Sequence, residues 1–331
     1  MQTATSTVES TLPVSAAGRR TAPWVGVLGV ATIASWLAVV GGSELLRRGT
    51  LLATVQRDRA VMVAPALLLV VGLVLVAEWR WPAVPRRGVP RSLLVDAGYL
   101  ALFAVALTPV LTVVQAGFTW EIDHHASFLA VGRLSWVPRL AVVVAVVVGM
   151  DALNWAVHVA NHRLPSWWRL HALHHSQEEM SVLTTFRTHP LVHATYLPAL
   201  LPALVLRGAG AAPSWAIVAY GCAVALAHAN LPWGFGPLGK VLVSPAYHRL
   251  HHARTFPEGT PGTNFGFLLV CWDQLAGLAR YPAGGPAPAT GLSGRPVPIE
   301  QDTRRSLGRV VAGQLAQPFR RDSALEGWWR P

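Results

Sequence analysis

Charge is scarce in this 331-residue chain. Asp, Glu, Lys and Arg make up 13% of it, whereas about 25% is ordinary for a soluble domain, and hydrophobic residues make up 52%. Such a composition cannot coat a whole molecule with a water-exposed surface, and it points to a membrane protein. The signs are also unequal, with 27 basic residues against 16 acidic ones for a net +11. The arginines gather at the ends of apolar runs and in the tail, where they anchor the chain and meet anionic lipid. That distribution is not a basic groove, so no nucleic-acid partner is expected. Cysteine is nearly absent. Cys222 and Cys271 give no disulfide framework, and Cys222, inside an apolar run, reads as a small packing residue. No cytochrome-type haem segment is visible, so a separate protein is the expected source of electrons for any redox chemistry.

Histidine, by contrast, is concentrated. Eleven of the 13 histidines fall between His158 and His252, most of them in the groups His158-Val-Ala-Asn-His162, His171-Ala-Leu-His174-His175 and His248-Arg-Leu-His251-His252. Neutral imidazole is the commonest metal ligand, and positions i, i+3 and i+4 share one face of a helix, so each group can aim two or three rings at one point. One first-row ion accepts at most about six ligands and a structural zinc usually four. The three groups supply eight rings, which overfills one ion and suits a pair. Imidazole serves iron, zinc, copper or nickel, so residue type leaves the metal open. A lone His-x-x-x-His is more often surface decoration; three such groups, two sharing His-x-x-His-His, are not. No other internal repeat is present.

Read in order, residues 1–22 form a Thr/Ser/Ala-rich tail. Trp24 to about Leu46 is a first spanning candidate, too long for a signal-peptide core and without a clear cleavage site. Val61 to about Ala77 is a second, and Leu93 to about Val114 a third. A loop from Gly117 to Val137 carries Glu121, Asp123 and the pair His124-His125, which reads as solvated. The fourth run follows Pro138-Arg139 and continues through Met150 into the first histidine group. Leu191–Leu206 and Trp215–Leu231 form an expected hairpin, its first arm bent by Pro198 and Pro202 and its tip at Arg207, Gly208 and Gly210. Pro245 should start the last histidine helix. A possible amphipathic helix, Thr303–Gln317, can lie on the bilayer or pack on its own domain. With the basic 80–91 loop inside, arginine bias brings all three histidine groups to the cytoplasmic face, although the equally basic 47–59 loop breaks a strict alternating count. The expected architecture is all-α: a polytopic helical membrane protein with a cytoplasmic-face helical cap carrying the histidine cluster.

A site built from neutral imidazole calls for carboxylates behind the rings to orient their N–H groups. Asp151 lies two helical turns before His158 on the same face, at the end of an apolar run where a carboxylate needs a partner. Asn154 shares that face. Glu178, Glu179 and Asp273 are further candidates, with solvated surface as the alternative. His228, followed by Asn230 at the returning end of the hairpin, offers a ninth ligand. His189 is open between ligand, orienting group and structural residue, and His193 reads as interfacial.

At this point the residues carry a resemblance. Asp151…His158…His162…Trp168-Arg169-Leu170-His171…His174-His175-Ser176 resembles the sterol desaturase / fatty acid hydroxylase superfamily. So do Arg187…His189-Pro190, His228-Ala229-Asn230, Pro245…His248-Arg249-Leu250-His251-His252 and Asn264-Phe265-Gly266…Trp272-Asp273. The similarity runs over about 93–281, with a weaker echo at Gln317-Pro318-Phe319-Arg320. It implies an integral-membrane non-haem di-iron oxygenase that uses O2 and external electrons to hydroxylate or desaturate a lipid, whether fatty acyl chain, sterol- or hopanoid-like ring or carotenoid. His158, His162, His171, His174, His175, His228, His248, His251 and His252 would then ligate two irons, with His189 a further candidate ligand and Asp151 and Asn230 supporting catalysis beside them. A ferredoxin, cytochrome or reductase would donate electrons, and the setting would be a bacterial-type cell membrane. The chain departs from the family pattern at His193, Phe265 and Leu275-Ala276-Gly277, which leaves the substrate subgroup open.

The domain division that follows is a tail at 1–22, N-terminal transmembrane helices at 23–92, the di-iron domain at 93–281 and a Pro/Gly-rich basic tail at 282–331. Two other classes compete: a membrane metal transporter, which predicts ligands strung along a mid-membrane path, and a zinc-dependent lipid hydrolase. A haem protein would need axial histidine pairs, not clusters.

Overall fold

The structure, a computed structural model, describes residues 60–86, 90–129, 137–206, 212–255, 262–293, 297–298 and 305–320. The first expected span, the 47–59 loop and the hairpin tip lie outside the described residues. Among the described residues the chain is helical, with no strand and two isolated antiparallel bridges, Leu242 to Leu269 and Ala253 to Thr290.

Helix α1 (Ala60–Arg80) covers the second expected run. It buries Leu67, Val71, Val74 and Leu75, spaced as one helical stripe. α2 (Arg91–Leu102) passes through one π-helical turn, Phe103–Leu107, into α3 (Thr108–His125). Pro109 at the start of α3 has no N–H to give the preceding turn, which accounts for the local widening. The loop expected from Gly117 is therefore helical as far as His125. The Glu121 carboxylate and His125 Nδ1, one turn apart at 2.9 Å, support that last turn. His124 and His125 are exposed, as a solvated pair should be.

α4 (Arg139–Arg163) and α5 (Pro165–His175) meet at Leu164, whose extended backbone ends one helix while Pro165 opens the next. The hairpin's first arm is broken into α6 (Val192–Thr195), a 3-10 turn (Leu197–Leu200) and α7 (Leu201–Val205), as its prolines require. α8 (Ala212–Ala227) returns. α9 (Pro245–His251) starts at Pro245, and the Ser244 hydroxyl caps it by accepting from Tyr247 N at 3.2 Å. α10 (Cys271–Leu275) follows.

The last helix, α11 (Leu307–Ala316), packs on its own domain. Val310 and Gln314 are buried, and Gln314 accepts from Tyr99 Oη at 3.0 Å and donates to Pro298 O at 2.9 Å. Its apolar stripe joins the main core, in which α1 and α2 pack against α5, the turn at 182–186 and the end of α8. The helices before residue 103 are thus part of the body that carries the histidines.

One described stretch, Leu140–Arg163, is long and apolar enough to cross a bilayer, with mean hydropathy 2.1. Apolar side chains also face outward at Leu73, Val110 and Val144, and at Val105 (78% exposed) and Leu140 (74%). Such an outer surface suits hydrocarbon better than water.

Candidate metal centre

The histidine helices converge because each is started or stopped at a fixed residue. α4 presents His158 and His162, and α5, restarted at Pro165, presents His171, His174 and His175. α9, capped by Ser244, presents His248 and His251 with His252 at its end, and the turn after α8 presents His228. Nine rings divide into two groups: His158, His162, His171, His175 and His251, and His174, His228, His248 and His252. Within each group one nitrogen per ring lies within 4.8 Å of the others. Opposite ligands of one ion, each about 2.1 Å from it, stand about 4.2 Å apart, so each group is the size of one coordination sphere.

The two His-x-x-His-His motifs are not assigned one to each group. In α5 the i, i+4 pair His171/His175 enters the five-ring group and His174 the other. In α9 the pair His248/His252 enters the four-ring group and His251 the other. Consecutive histidines point about 100° apart on a helix, so each motif straddles the seam and ties the groups together. The centroids of His175 and His252, from opposite groups, stack at 4.4 Å.

Several ring orientations are fixed by main-chain carbonyls. His158 Nδ1 donates to Phe265 O, His228 Nδ1 to Val224 O and His251 Nδ1 to Thr263 O, each at 2.8 Å. These bonds leave Nε2 of each ring as the lone pair facing inward. His228 Nε2 stands 3.0 Å from His174 Nε2 and 3.1 Å from His248 Nε2, and His171 and His175 meet Nε2 to Nε2 at 3.2 Å. Other buried ring nitrogens have no hydrogen-bond partner: Nε2 of His158, His162 and His251, Nδ1 of His171, His174 and His248, and both nitrogens of His252. Buried polar atoms are ordinarily satisfied, so the orphaned Nε2 atoms of His158, His162 and His251, in a group whose ligand nitrogens lie within 4.8 Å of one another, fit bound metal. Burial first, and then the neighbouring imidazoles, hold His171, His174, His175, His248 and His252 well below the ordinary histidine range, and burial takes His251 to about 3. The rings are therefore neutral and available as ligands.

Carboxylates stand one step further out than the sequence suggested. Asp151 touches no imidazole. It accepts from Leu268 N at 3.1 Å, Leu269 N at 3.0 Å and Trp272 Nε1 at 2.8 Å. Asp273, fully buried, accepts from Phe265 N at 3.0 Å, Gly266 N at 2.8 Å, Trp155 Nε1 at 2.9 Å and Tyr247 Oη at 3.0 Å. Together they clamp residues 265–269, of which Phe265 orients His158, next to Thr263, whose carbonyl orients His251. Gly266 is required there, since a Cβ would come within 2.8 Å of Leu269 O. Asn264 turns the chain at φ +60 and is held through its amide to Tyr247 O at 2.9 Å and Arg280 O at 2.8 Å.

The other expected residues fall as follows. Asn230 meets no ring nitrogen; its side chain accepts from Val84 N and Arg249 Nη2 and donates to Val84 O. His189 is outside both groups: Nε2 faces Leu315 O at 3.1 Å and Nδ1 accepts from Leu191 N at 3.2 Å. His193 Nε2 meets Thr188 Oγ1. Asn154 donates to Met150 O of its own helix, and Glu178 pairs with Arg254 at 2.8 Å. Three features went unforeseen. Phe267 stacks on His158 at 4.7 Å and lies 6.3 Å from His248, covering the seam. Arg187 and Asp96 form a fully buried ion pair at 3.0 Å, and Arg187 also donates to Ser176 Oγ beside His175. Glu78 lies buried at the end of α1. The signal that drew attention to Asp151, a carboxylate bordering an apolar run, applies equally to Glu78 and Asp96.

The fatty acid hydroxylase family model matches residues 142–278, a range that contains every ring of both groups. The ornithine lipid hydroxylase OlsE of Rhizobium tropici is 31% identical over 215 residues, 62% of this chain and 57% of that protein. The alkylglycerol monooxygenase of Caenorhabditis elegans is 25% identical over 135 residues, 38% of this chain and 24% of that protein. The chain thus spans little more than half the length of the first relative and about a quarter of the second. No solved structure matches.

Proposed function

The chain belongs to the sterol desaturase / fatty acid hydroxylase superfamily, and from that premise we propose that it is a membrane-bound lipid oxygenase that inserts one oxygen atom of O2 into a C–H bond of a polar-headed lipid. The observation that carries this reading is the division of nine imidazoles, eight buried and His162 half-buried, into one group of five and one of four. His158, His162, His171, His175 and His251 would hold one iron, and His174, His228, His248 and His252 the other. The iron pair would supply the redox chemistry that activates O2 for attack on an unreactive C–H bond.

The chain's own residues prepare that chemistry. Neutral rings present lone pairs without first losing a proton, so the ligands stay unchanged while electrons come and go. Carbonyls of Phe265, Thr263 and Val224 hold three ring planes, and the clamps at Asp151 and Asp273 hold the loop that carries the first two. Phe265, Phe267 and Trp168 pack against the rings and keep bulk water off them. The balance is one lipid C–H, one O2, two electrons and two protons giving one C–OH and one water. The electrons come from a separate ferredoxin, cytochrome or reductase. Hydroxylation is preferred to desaturation because both relatives are named for oxygen insertion, and a polar-headed lipid because those names specify an ornithine lipid and an alkylglycerol. The apolar outer faces and the 140–163 helix support a bilayer setting, and arginine bias supports the cytoplasmic side of a bacterial-type membrane. Nitrogens meeting at two points favour a resident metal pair over transport along a path.

Whole-cell lipid profiling tests the proposal. Cells expressing the chain under aerobic, iron-replete growth should gain lipids heavier by one oxygen atom, and cells expressing H158A or H248A should not. An unchanged lipidome across several hosts, or zinc in place of iron in protein purified anaerobically, would overturn it.

A further inference from the structure

Every ring of the two groups lies inside the matched 142–278 range, yet part of what holds the four-ring group comes from α1 and the segment after it. We propose that Glu78 is a positioning residue for His174, His228, His248 and His252; this rests on the two-metal reading above.

Glu78 ends the apolar α1 with its carboxylate fully buried. Oε1 accepts from Asn230 N at 2.9 Å and from Val182 N at 2.7 Å, while Oε2 faces Arg86 Nη1 at 3.6 Å. Asn230 is then fixed from every side. Its carbonyl accepts from Ala83 N at 2.9 Å, its Oδ1 accepts from Val84 N at 3.0 Å and Arg249 Nη2 at 2.8 Å, and its Nδ2 donates to Val84 O at 2.8 Å. His228 lies two residues before Asn230, one residue past the end of α8, where its N–H makes a 3.3 Å bond to Ala225 O and the carbonyls of the last turn lack helical partners. Arg249 lies between His248 and His251 on α9. One carboxylate therefore joins the turn that presents His228, the helix that presents His248 and His252, and, through Val182, the capped turn after α5. These contacts reach the four-ring group directly at His228, whereas His158 and His251 of the five-ring group are set by Phe265 O and Thr263 O near the clamp at Asp273.

The charge is needed as well as the shape. Arg86 is buried, and the Glu78 carboxylate is the anion that faces it. An amide in its place must either turn its N–H toward Arg86 or withdraw its oxygen from Asn230, and a broken buried pair leaves a cation uncompensated.

The test uses the full chain in detergent, stripped of metal, loaded anaerobically with Fe(II) and challenged with a chelator, with iron per chain as the readout. Wild type should retain about two ions, and E78Q about one, given that each group is one coordination sphere. E78Q/H228A should match E78Q, because both changes disable the same group, whereas E78Q/H162A should retain almost none. E78Q/R86Q removes the stranded cation and lets the introduced amide oxygen stay on Asn230, so retention should return toward the wild-type count. Wild-type retention by E78Q would overturn the inference while leaving the two-metal reading intact. Equal loss from both groups, or misfolding of both E78Q and E78Q/R86Q, would make Glu78 a residue of the general fold and overturn it too. Fewer than two ions in wild type would sink the two-metal reading and this inference with it.

Discussion

Replacing Asp273 by asparagine tests how the five-histidine group is held. Its carboxylate receives Trp155 Nε1 and Phe265 N on Oδ1, and Gly266 N and Tyr247 Oη on Oδ2. The least harmful amide orientation puts nitrogen in the Oδ2 corner, where the Tyr247 hydroxyl can turn and accept while Gly266 N–H is stranded. A stranded buried donor costs about 1–3 kcal/mol, and each bond downgraded from a charged to a neutral acceptor loses about 1 kcal/mol. Burial raises the Asp273 carboxyl above its ordinary range, so relief of that desolvation returns part of the loss. The net expectation is about 2–4 kcal/mol, or, for a chain of 331 residues, a melting temperature lower by roughly 3–6 °C. The loss is local in origin. Phe265 and Thr263 should move, and their carbonyls hold His158 and His251, so iron in that group should be released roughly 10–100-fold more readily. Thermal unfolding in detergent and chelator resistance of the Fe(II)-loaded chain measure the two effects. If D273N melts with the wild type and keeps its iron as tightly, the clamp argument is wrong.

Two further outcomes follow from the buried charges and rings. D96N removes one partner of the fully buried Arg187 pair and should cost about 3–5 kcal/mol, read as a lower denaturation midpoint; a change below about 1 kcal/mol would show that the pair contributes little. The metal-free chain should lose stability as pH falls. The unfolded rings take up protons below about 6.5, while folded His251 resists them down to about 3, so between those values the unfolded state binds more protons and stability declines toward acid. Unfolding midpoints that stay flat from pH 8 to pH 5 would contradict it.

Much of the site could be read from residue spacing. His-x-x-x-His and His-x-x-His-His on helices announce rings on shared faces, Pro245 marks where the last of those helices starts, and Pro198 and Pro202 foretell a broken arm. Local rules failed where long-range contacts decide. The 117–125 stretch looked like a loop because it is polar, yet nothing in it forbids helix. Thr303–Gln317 had two possible resting places, and only the contacts of Val310 and Gln314 chose between them. His189 carried the right residue type and motif, but its nitrogens are taken up by Leu315 O and Leu191 N.

By itself the sequence determined that this chain is apolar and helical, and that its histidines come at helical spacing in numbers too great for one ion, because periodicity and ligand count are local properties. Which ring joins which group, with His174 leaving His171 and His175 for the partners of His228, was decided only by the tertiary structure. The same holds for the carboxylates. Asp151, Asp273 and Glu78 act on backbone amides brought in from up to 152 residues away, and a pairing across that distance depends on how the helices pack, which no run of neighbouring residues encodes.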